Sequence, residues 1–373
     1  MRTELCDRFG IKYPIFVFTP SEKVAAAVSR AGGMGVLGCV RFNDADDLEA
    51  VLQWMDENTD GKPYGVDIVM PAKIPTEGTA VDINKLIPQE HRDFIAKTLA
   101  DLGVPPLPED EAKNEGVLGW LHSVARSHVE VALKHPIKLI ANALGSPPKD
   151  VIDQAHEHGV PVAALAGSAK HAQRHVENGV DIVVAQGHEA GGHTGEIGSV
   201  VLWPEIVDAL DGKAPVLAAG GIGTGRQVAA ALALGASGVW MGSAFLTSAE
   251  YDLGHREPGG TSTIQDALLR ASSSDTVRRK IYTGKPARLL KTKWTDAWDA
   301  EGAPDPLPMP LQNILVSEAH QRMNESDNPD TVAMPVGQIV GRMNEIRPVA
   351  DIIAELVEGF EAASRKLDTV RDS

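Results

Sequence analysis

The sequence predicts an α/β protein, specifically a closed (β/α)8 barrel. Eight short, mostly apolar segments have the composition of buried β-strands, and most of them precede a segment with helical periodicity. Few of these strands alternate apolar and polar residues, which indicates a parallel sheet covered on both faces. Glycine-rich turns follow the seventh and eighth strands, and they favour a barrel over the alternative, a doubly wound open sheet.

The predicted strands recur along most of the chain, starting roughly 20 to 35 residues apart outside one long interruption. Asn43, Ser168 and Thr224 precede helical segments and are predicted N-caps, because their side-chain oxygens can accept hydrogen bonds from the first helical turn. The strands are predicted at residues 12–19, 34–39, 64–70, 138–143, 160–165, 179–184, 215–219 and 238–241.

Two segments fall outside this repeating pattern. Residues 71–134 are proline-rich and contain two helical stretches, which is too long for a simple loop, so we expect an inserted, mostly helical lid or interface element that starts on the catalytic face. Residues 251–373 are expected to form a C-terminal extension that completes the lid and packs on the barrel, with a final amphipathic helix over 349–367. The barrel itself is assigned to residues 1–70 and 135–250.

Composition narrows the classes of partner. The 35 Lys and Arg residues against 51 Asp and Glu residues give a net charge of −16, which argues against nucleic acid and against anionic membranes. No apolar run is long enough to span a membrane, and we expect no signal peptide, because the first residues mix both charge signs and lack an apolar region. The two cysteines, Cys6 and Cys39, are too few for a disulfide scaffold, which fits a reducing cytoplasm. Small molecules are the expected partners, and a homodimer is compatible with the sequence.

The sixth predicted strand runs directly into a glycine-rich loop that contains two histidines and a glutamate, residues 185–195. Glycines let a backbone turn tightly and approach a ligand closely. His193 stands near the carboxyl end of the strand, which is where parallel α/β folds carry out chemistry. His193 is therefore the candidate catalytic residue; the alternative is a loop histidine that bonds a backbone carbonyl.

The turns after the seventh and eighth strands predict a phosphate site. Gly220 and Gly221 leave backbone N–H groups available to an anion, and Thr224 with Gln227 forms a capping-box pattern that starts a helix beside them. Met241, Gly242 and Ser243, at the eighth strand, can complete the site. A Rossmann fingerprint is excluded because its third glycine is absent. The alternative is a pair of tight turns that bind nothing.

Metal sites are not predicted. His188 and His193 are five residues apart with two glycines between them, whereas the zinc-protease motif needs histidines four apart on one helix. His171 and His175 have helical spacing, but no third ligand is evident, and a solvated helix face is the preferred interpretation.

The residues 186–195, Gln-Gly-His-Glu-Ala-Gly-Gly-His-Thr-Gly, closely resemble the central motif of the nitronate monooxygenase family, and the sequences at 219–222 and 241–245 resemble its FMN-phosphate turns. The resemblance implies a TIM barrel that binds FMN without a covalent bond. It implies that Gln186, Gly191 and Gly192 contact the flavin and that His193 faces the substrate. The third strand carries Asp67 where the family commonly has an asparagine beside the flavin, so Asp67 is also a candidate cofactor contact.

The activity implied by this resemblance is oxidation of an alkyl nitronate with O2 to a carbonyl compound and nitrite. His193 would act as a base or as an electrostatic partner. The first alternative is a reductase of the same superfamily that uses FMN and NAD(P)H on an enoyl thioester or a quinone. An alternative from another class is a flavin-free lyase or isomerase that binds a sugar phosphate.

Overall fold

The computed structural model of the protein describes residues 1–70, 83–107, 122–256 and 258–371. The strands in this part of the chain are β1 (Ile15–Thr19), β2 (Met34–Gly38), β3 (Tyr64–Asp67), β4 (Ile140–Asn142), β5 (Val162–Ala166), β6 (Ile182–Gln186), β7 (Gly192–His193), β8 (Val216–Ala219), β9 (Gly238–Met241), β10 (Thr276–Arg279) and β11 (Ala287–Leu290). The α-helices are α1 (Glu4–Phe9), α2 (Glu22–Arg30), α3 (Ala45–Asn58), α4 (Gln89–Asp101), α5 (His122–Ala132), α6 (Lys149–Glu157), α7 (Ala169–Glu177), α8 (Ser199–Leu210), α9 (Gly225–Ala233), α10 (Thr263–Arg270), α11 (Lys293–Asp299), α12 (Leu311–Asn324) and α13 (Val349–Arg371).

Eight parallel strands close into a barrel in the order β1-β2-β3-β4-β5-β6-β8-β9, with β9 pairing back to β1. The predicted (β/α)8 barrel is confirmed, and the seventh and eighth predicted strands are β8 and β9. Side chains that alternate along each strand point to the barrel interior or to the surrounding helices. Phe16, Met34 and Leu217 belong to the interior cluster, which α1 extends through Leu5 and Phe9.

The helices that follow the barrel strands are α2, α3, α5, α6, α7, α8, α9 and α13. The eighth helix around the barrel comes from the end of the chain: it is α13, which packs between α9 and α2. A Cβ atom on Gly225 would lie 2.2 Å from the Leu356 carbonyl oxygen, so glycine permits the close approach of α9 and α13. The third position is filled by α5, which packs on α3.

The described part of the inserted segment divides between two locations. Helix α4 packs on α12, and Ile95 and Leu99 join a cluster with Trp294 and Trp298 of α11. Helix α5 instead contributes Val129 to the cluster that surrounds the barrel. Residues 71–82 and 108–121 lie outside the described residues.

Two of the three predicted N-cap residues cap their helices in the structure. Ser168 and Thr224 accept hydrogen bonds from the backbone N–H groups of His171 and Gln227, as predicted. The prediction that Asn43 caps α3 is wrong by one residue: Asp44 accepts from the Asp47 N–H at 2.9 Å. Asp and Asn are equally good caps, so their order in the sequence could not decide between them.

A second, antiparallel sheet connects the C-terminal region to the loop after β6. Its strand order is β10-β11-β7, and His193 pairs with Ala287 while Gly192 pairs with Arg288. The loop that follows the sixth barrel strand is therefore held by main-chain pairing to residues almost 100 positions later. Within the described ranges, no helix is both long and apolar enough to cross a membrane.

Candidate active site

A cavity of about 470 Å³ opens at the carboxyl ends of the barrel strands. Every candidate residue from the sequence lines this cavity, although the candidates come from separate strand ends. They are Asp67 at the end of β3, Gln186 at the end of β6 with Gly191, Gly192 and His193 beyond it, Gly220 and Gly221 after β8, and Met241 at the end of β9 with Gly242 and Ser243 after it.

His193 is fixed by a residue of the C-terminal region. Its Nε2 lies 2.6 Å from the Thr283 hydroxyl oxygen, and Thr283 is fully buried. Burial, together with the nearby charge of Lys285, lowers the pKa of His193 from its ordinary value of 6.5 to about 4. His193 is therefore an uncharged imidazole at neutral pH, in contrast to an unperturbed histidine, which titrates near this pH.

Two arginines from the second sheet hold the loop that carries His193. The Arg288 guanidinium donates to the His188 carbonyl oxygen from Nε at 3.2 Å and from Nη2 at 3.1 Å. Arg278 donates to the Thr194 hydroxyl at 2.9 Å and to the Thr194 carbonyl oxygen at 2.8 Å. Charged donors to backbone acceptors make strong hydrogen bonds, so these contacts restrict the loop on both sides of His193.

The remaining polar residue of the motif, Glu189, has a structural role. Its carboxylate accepts hydrogen bonds from the backbone N–H and the hydroxyl of Ser199, at 2.9 and 2.8 Å, and thereby caps the start of α8. Gly191 faces another part of the chain as well as the cavity. A Cβ atom there would lie 2.8 Å from the Gly337 backbone nitrogen, so glycine allows residues 336–337 to pack directly on the loop.

The turns after β8 and β9 form a cradle without side chains. Gly220 and Gly221 have φ values of +99° and +70°, which favour glycine. The Ser243 hydroxyl oxygen accepts from the Gly337 N–H at 2.9 Å, which leaves the hydroxyl proton to donate to an anion. Gln227 accepts from the Gly223 N–H, one residue earlier than a standard capping box. An N-terminal helix end beside such a cradle suits a phosphate group.

Asp67 faces the same cavity and is 2% exposed. Its Oδ1 has no hydrogen-bond partner among the described residues. Burial raises the pKa of Asp67 from 3.8 to about 7.

The other histidines named in the sequence analysis lie in separate surroundings. The described ranges contain no group of three or more potential ligands. The preferred interpretation of His175 as part of a solvated face is wrong, because its ring is buried: Nδ1 lies 2.7 Å from the Ser146 hydroxyl and Nε2 lies 3.0 Å from the Leu165 carbonyl oxygen. Cys6 and Cys39 are both buried and free.

The sequence predicts that the C-terminal extension completes the lid, but it does not identify the residues of that extension that line the cavity. Tyr282 stacks on His320 with ring centroids 4.8 Å apart, and both residues line the cavity beside the Thr283 contact. Asn313 and Ser317 of α12 also line the cavity. The sequence signal was weak, because these residues are scattered through a proline-rich region without a repeating pattern.

The cavity, its glycine turns and its loop histidine can be compared with known proteins. The family model described as nitronate monooxygenase matches residues 2–359 of this chain. The chain belongs to the nitronate monooxygenase family. The family match confirms the resemblance carried by residues 186–195, and it makes the protein an oxidoreductase.

Relatives match along almost the whole chain. A Mycobacterium tuberculosis protein named as a monooxygenase is 46% identical, with 96% of each chain covered. A Staphylococcus aureus protein named as a probable nitronate monooxygenase is 28% identical over 95% of this chain and 96% of its own. Among solved structures, a nitroalkane oxidase from Streptomyces ansochromogenes superposes with a TM-score of 0.78 at 26% identity, covering 97% of this chain and 99% of its own. FabK from Thermotoga maritima superposes with a TM-score of 0.74 at 28% identity, covering 99% of both chains.

Proposed function

We propose that this protein uses FMN to oxidise alkyl nitronates with O2, giving a carbonyl compound and nitrite. The observation that carries the proposal is the convergence of His193, the glycine cradle and Asp67 on one cavity in a member of the nitronate monooxygenase family. The conversion balances as two nitronate anions and one O2 giving two carbonyl compounds and two nitrite ions.

The residues present fit FMN. Gly220, Gly221 and Gly242 line the cavity without side chains of their own, and Ser243 has a proton to donate to a phosphate oxygen. The unsatisfied Asp67 oxygen supplies a polar group for the ring. When bound, FMN would accept electrons from the substrate and transfer them to O2.

The state of His193 favours a nitronate over a neutral nitroalkane as substrate. A base whose pKa is about 4 removes a proton from a neutral carbon acid poorly. A nitronate has already lost that proton, and its negative charge is compatible with the nearby Lys285 ammonium group. His193, positioned by Thr283, would then orient the anion as a neutral imidazole.

The alternative is a reductase of the same superfamily that takes electrons from NAD(P)H and acts on an enoyl thioester or a quinone. One observation favours it: besides His193, the cavity is lined by the uncharged polar side chains of Asn313 and Ser317, which a small nitronate does not need.

An anaerobic titration of the purified protein distinguishes these functions. We expect a yellow protein that releases FMN on heating and is bleached by a nitronate, with colour and nitrite formation restored on admission of air. Bleaching by NADH alone would establish the reductase instead. A colourless protein without flavin would exclude both, and would support a barrel that binds a sugar phosphate.

A further inference from the structure

The cavity wall contains a carboxyl group that the protein itself leaves unsatisfied. Asp67 ends β3, where its backbone lies in register with Gly38 of β2 and Ala141 of β4. Its side chain is enclosed and faces the cavity, and Oδ1 has no partner among the described residues. An ionised carboxylate in such a place is costly unless a cation or a donor compensates it.

The β2 side of Asp67 supplies no such compensation. Cys39 is the titratable neighbour there, and burial raises the pKa of its thiol, so it stays protonated. Its Sγ lies 3.7 Å from the Leu37 carbonyl oxygen. Arg41 lies two residues further along and also lines the cavity, but its guanidinium is paired with the Glu22 carboxylate, and burial is the cause of the raised pKa of Asp67.

The β4 side and the cavity do not supply it either. The Asn142 side chain uses its oxygen to accept from the Met70 N–H at 2.8 Å and its NH2 group to donate to backbone carbonyls. His193, which also lines the cavity, is uncharged at neutral pH. Burial is thus the cause of the raised pKa of Asp67, and the neutral acid persists to about pH 7.

We propose that Asp67 binds the FMN ring as a neutral carboxylic acid that donates a hydrogen bond, and that its ionisation weakens FMN binding. The inference rests on the proposed use of FMN. The polar edge of the ring offers carbonyl oxygens and ring nitrogens as acceptors, to which a neutral acid can donate. An ionised carboxylate would face the same acceptors without a proton and would be repelled.

The test is FMN affinity as a function of pH, measured by fluorescence on apoprotein reconstituted with FMN. For the natural protein we expect the Kd to rise by about tenfold or more between pH 7 and pH 9, because binding favours the protonated form. Asp67→Asn keeps a neutral donor of the same shape, so its Kd should resemble that of the natural protein at pH 6 and stay level up to pH 9. Asp67→Leu, which has no donor, should bind weakly at every pH. Cys39→Ala is the matched control and should keep the pH dependence.

A direct readout accompanies the affinity measurement. The infrared difference spectrum between the natural protein and Asp67→Asn should contain a protonated-carboxyl band at pH 6 that fades by pH 9. Tighter binding by the natural protein at pH 9 than at pH 6 would overturn the proposal, because the carboxylate would then be the binding form. Equal, pH-independent affinity in all variants would overturn it while leaving FMN in place. If neither the natural protein nor any variant binds FMN, the proposed function is overturned as well.

Discussion

His193 owes its chemical state to the residues that enclose it. A solvated imidazole would be partly charged near neutral pH, whereas burial and Lys285 keep this ring neutral until about pH 4. The Thr283 hydroxyl fixes one ring nitrogen at 2.6 Å. The histidine is thus oriented by the C-terminal region, whereas its backbone belongs to the loop after β6.

Replacing His193 with asparagine should separate catalysis from cofactor binding. We expect FMN affinity to be unchanged, because the phosphate cradle is built from β8 and β9. Turnover of a neutral nitroalkane should already be slow in the natural protein and should change little, because an imidazole with a pKa of about 4 is a poor base. Turnover of a preformed nitronate should fall by up to about 10²-fold, because the variant loses the ring that orients the anion. Steady-state rates on the two substrates check this, and a natural rate on the nitronate would make His193 a structural residue.

Thr283→Val tests the positioning of His193. The substitution keeps the shape of the side chain and removes the hydroxyl, so we expect kcat on a nitronate to fall by up to about tenfold, the range of one hydrogen bond. FMN affinity should be unchanged. Thr283→Ser restores the hydroxyl and should recover most of the rate. If Val and Ser behave alike, the hydroxyl does not position the imidazole.

At the scale of elements, loops after different strands meet because parallel strands all end at one rim of the barrel. The sequence was sufficient to predict this meeting, since each glycine turn follows its strand directly. It was not sufficient for β10 and β11, because Thr276–Arg279 contains two arginines and reads as a polar loop. These short strands are stabilised by their pairing with β7, which no local pattern reveals.

A negatively charged side chain placed in the glycine cradle tests whether the cradle binds the FMN phosphate. Gly221→Asp would place a carboxylate at the anion site, and we expect the purified variant to lack flavin. Gly159→Asp is the matched control, because Gly159 has nearly the same φ, +69° against +70°, on a loop away from the cavity. The absorption spectra of both variants decide the matter: full flavin content in Gly221→Asp would place the phosphate elsewhere.

At the scale of the whole molecule, buried titratable groups make stability depend on pH. Burial lowers the pKa of His320 to about 3 and contributes to the low pKa of His193, against 6.5 for an ordinary histidine. The unfolded chain therefore binds more protons than the native state between pH 6.5 and about 4, and stability falls as pH falls through this range. Asp67 has the opposite effect. The native state holds the Asp67 proton up to about pH 7, so the contribution of Asp67 to the free energy of unfolding falls as the pH rises from 3.8.

We expect the free energy of unfolding of the apoprotein to decrease between pH 6.5 and pH 4.5, measured by urea denaturation. His320→Phe keeps a ring to stack on Tyr282 but cannot take a proton, so its loss over the same interval should be smaller. The comparison uses the slope of the free energy of unfolding against pH, because a packing defect in the variant that is the same at every pH does not change this slope. Equal slopes would show that the pKa of His320 does not differ between the native and unfolded states.

The placement of α13 has a consequence for synthesis on the ribosome. Its apolar residues, including Ile352 and Leu356, cover surfaces of α2 and α9 that are made much earlier. The nascent chain must therefore keep a hydrophobic seam uncovered while the entire cavity-lining C-terminal region is translated. During this delay the seam is open to chaperones. In chains that stall before α13 is made, α2 and α9 stay exposed to proteolysis.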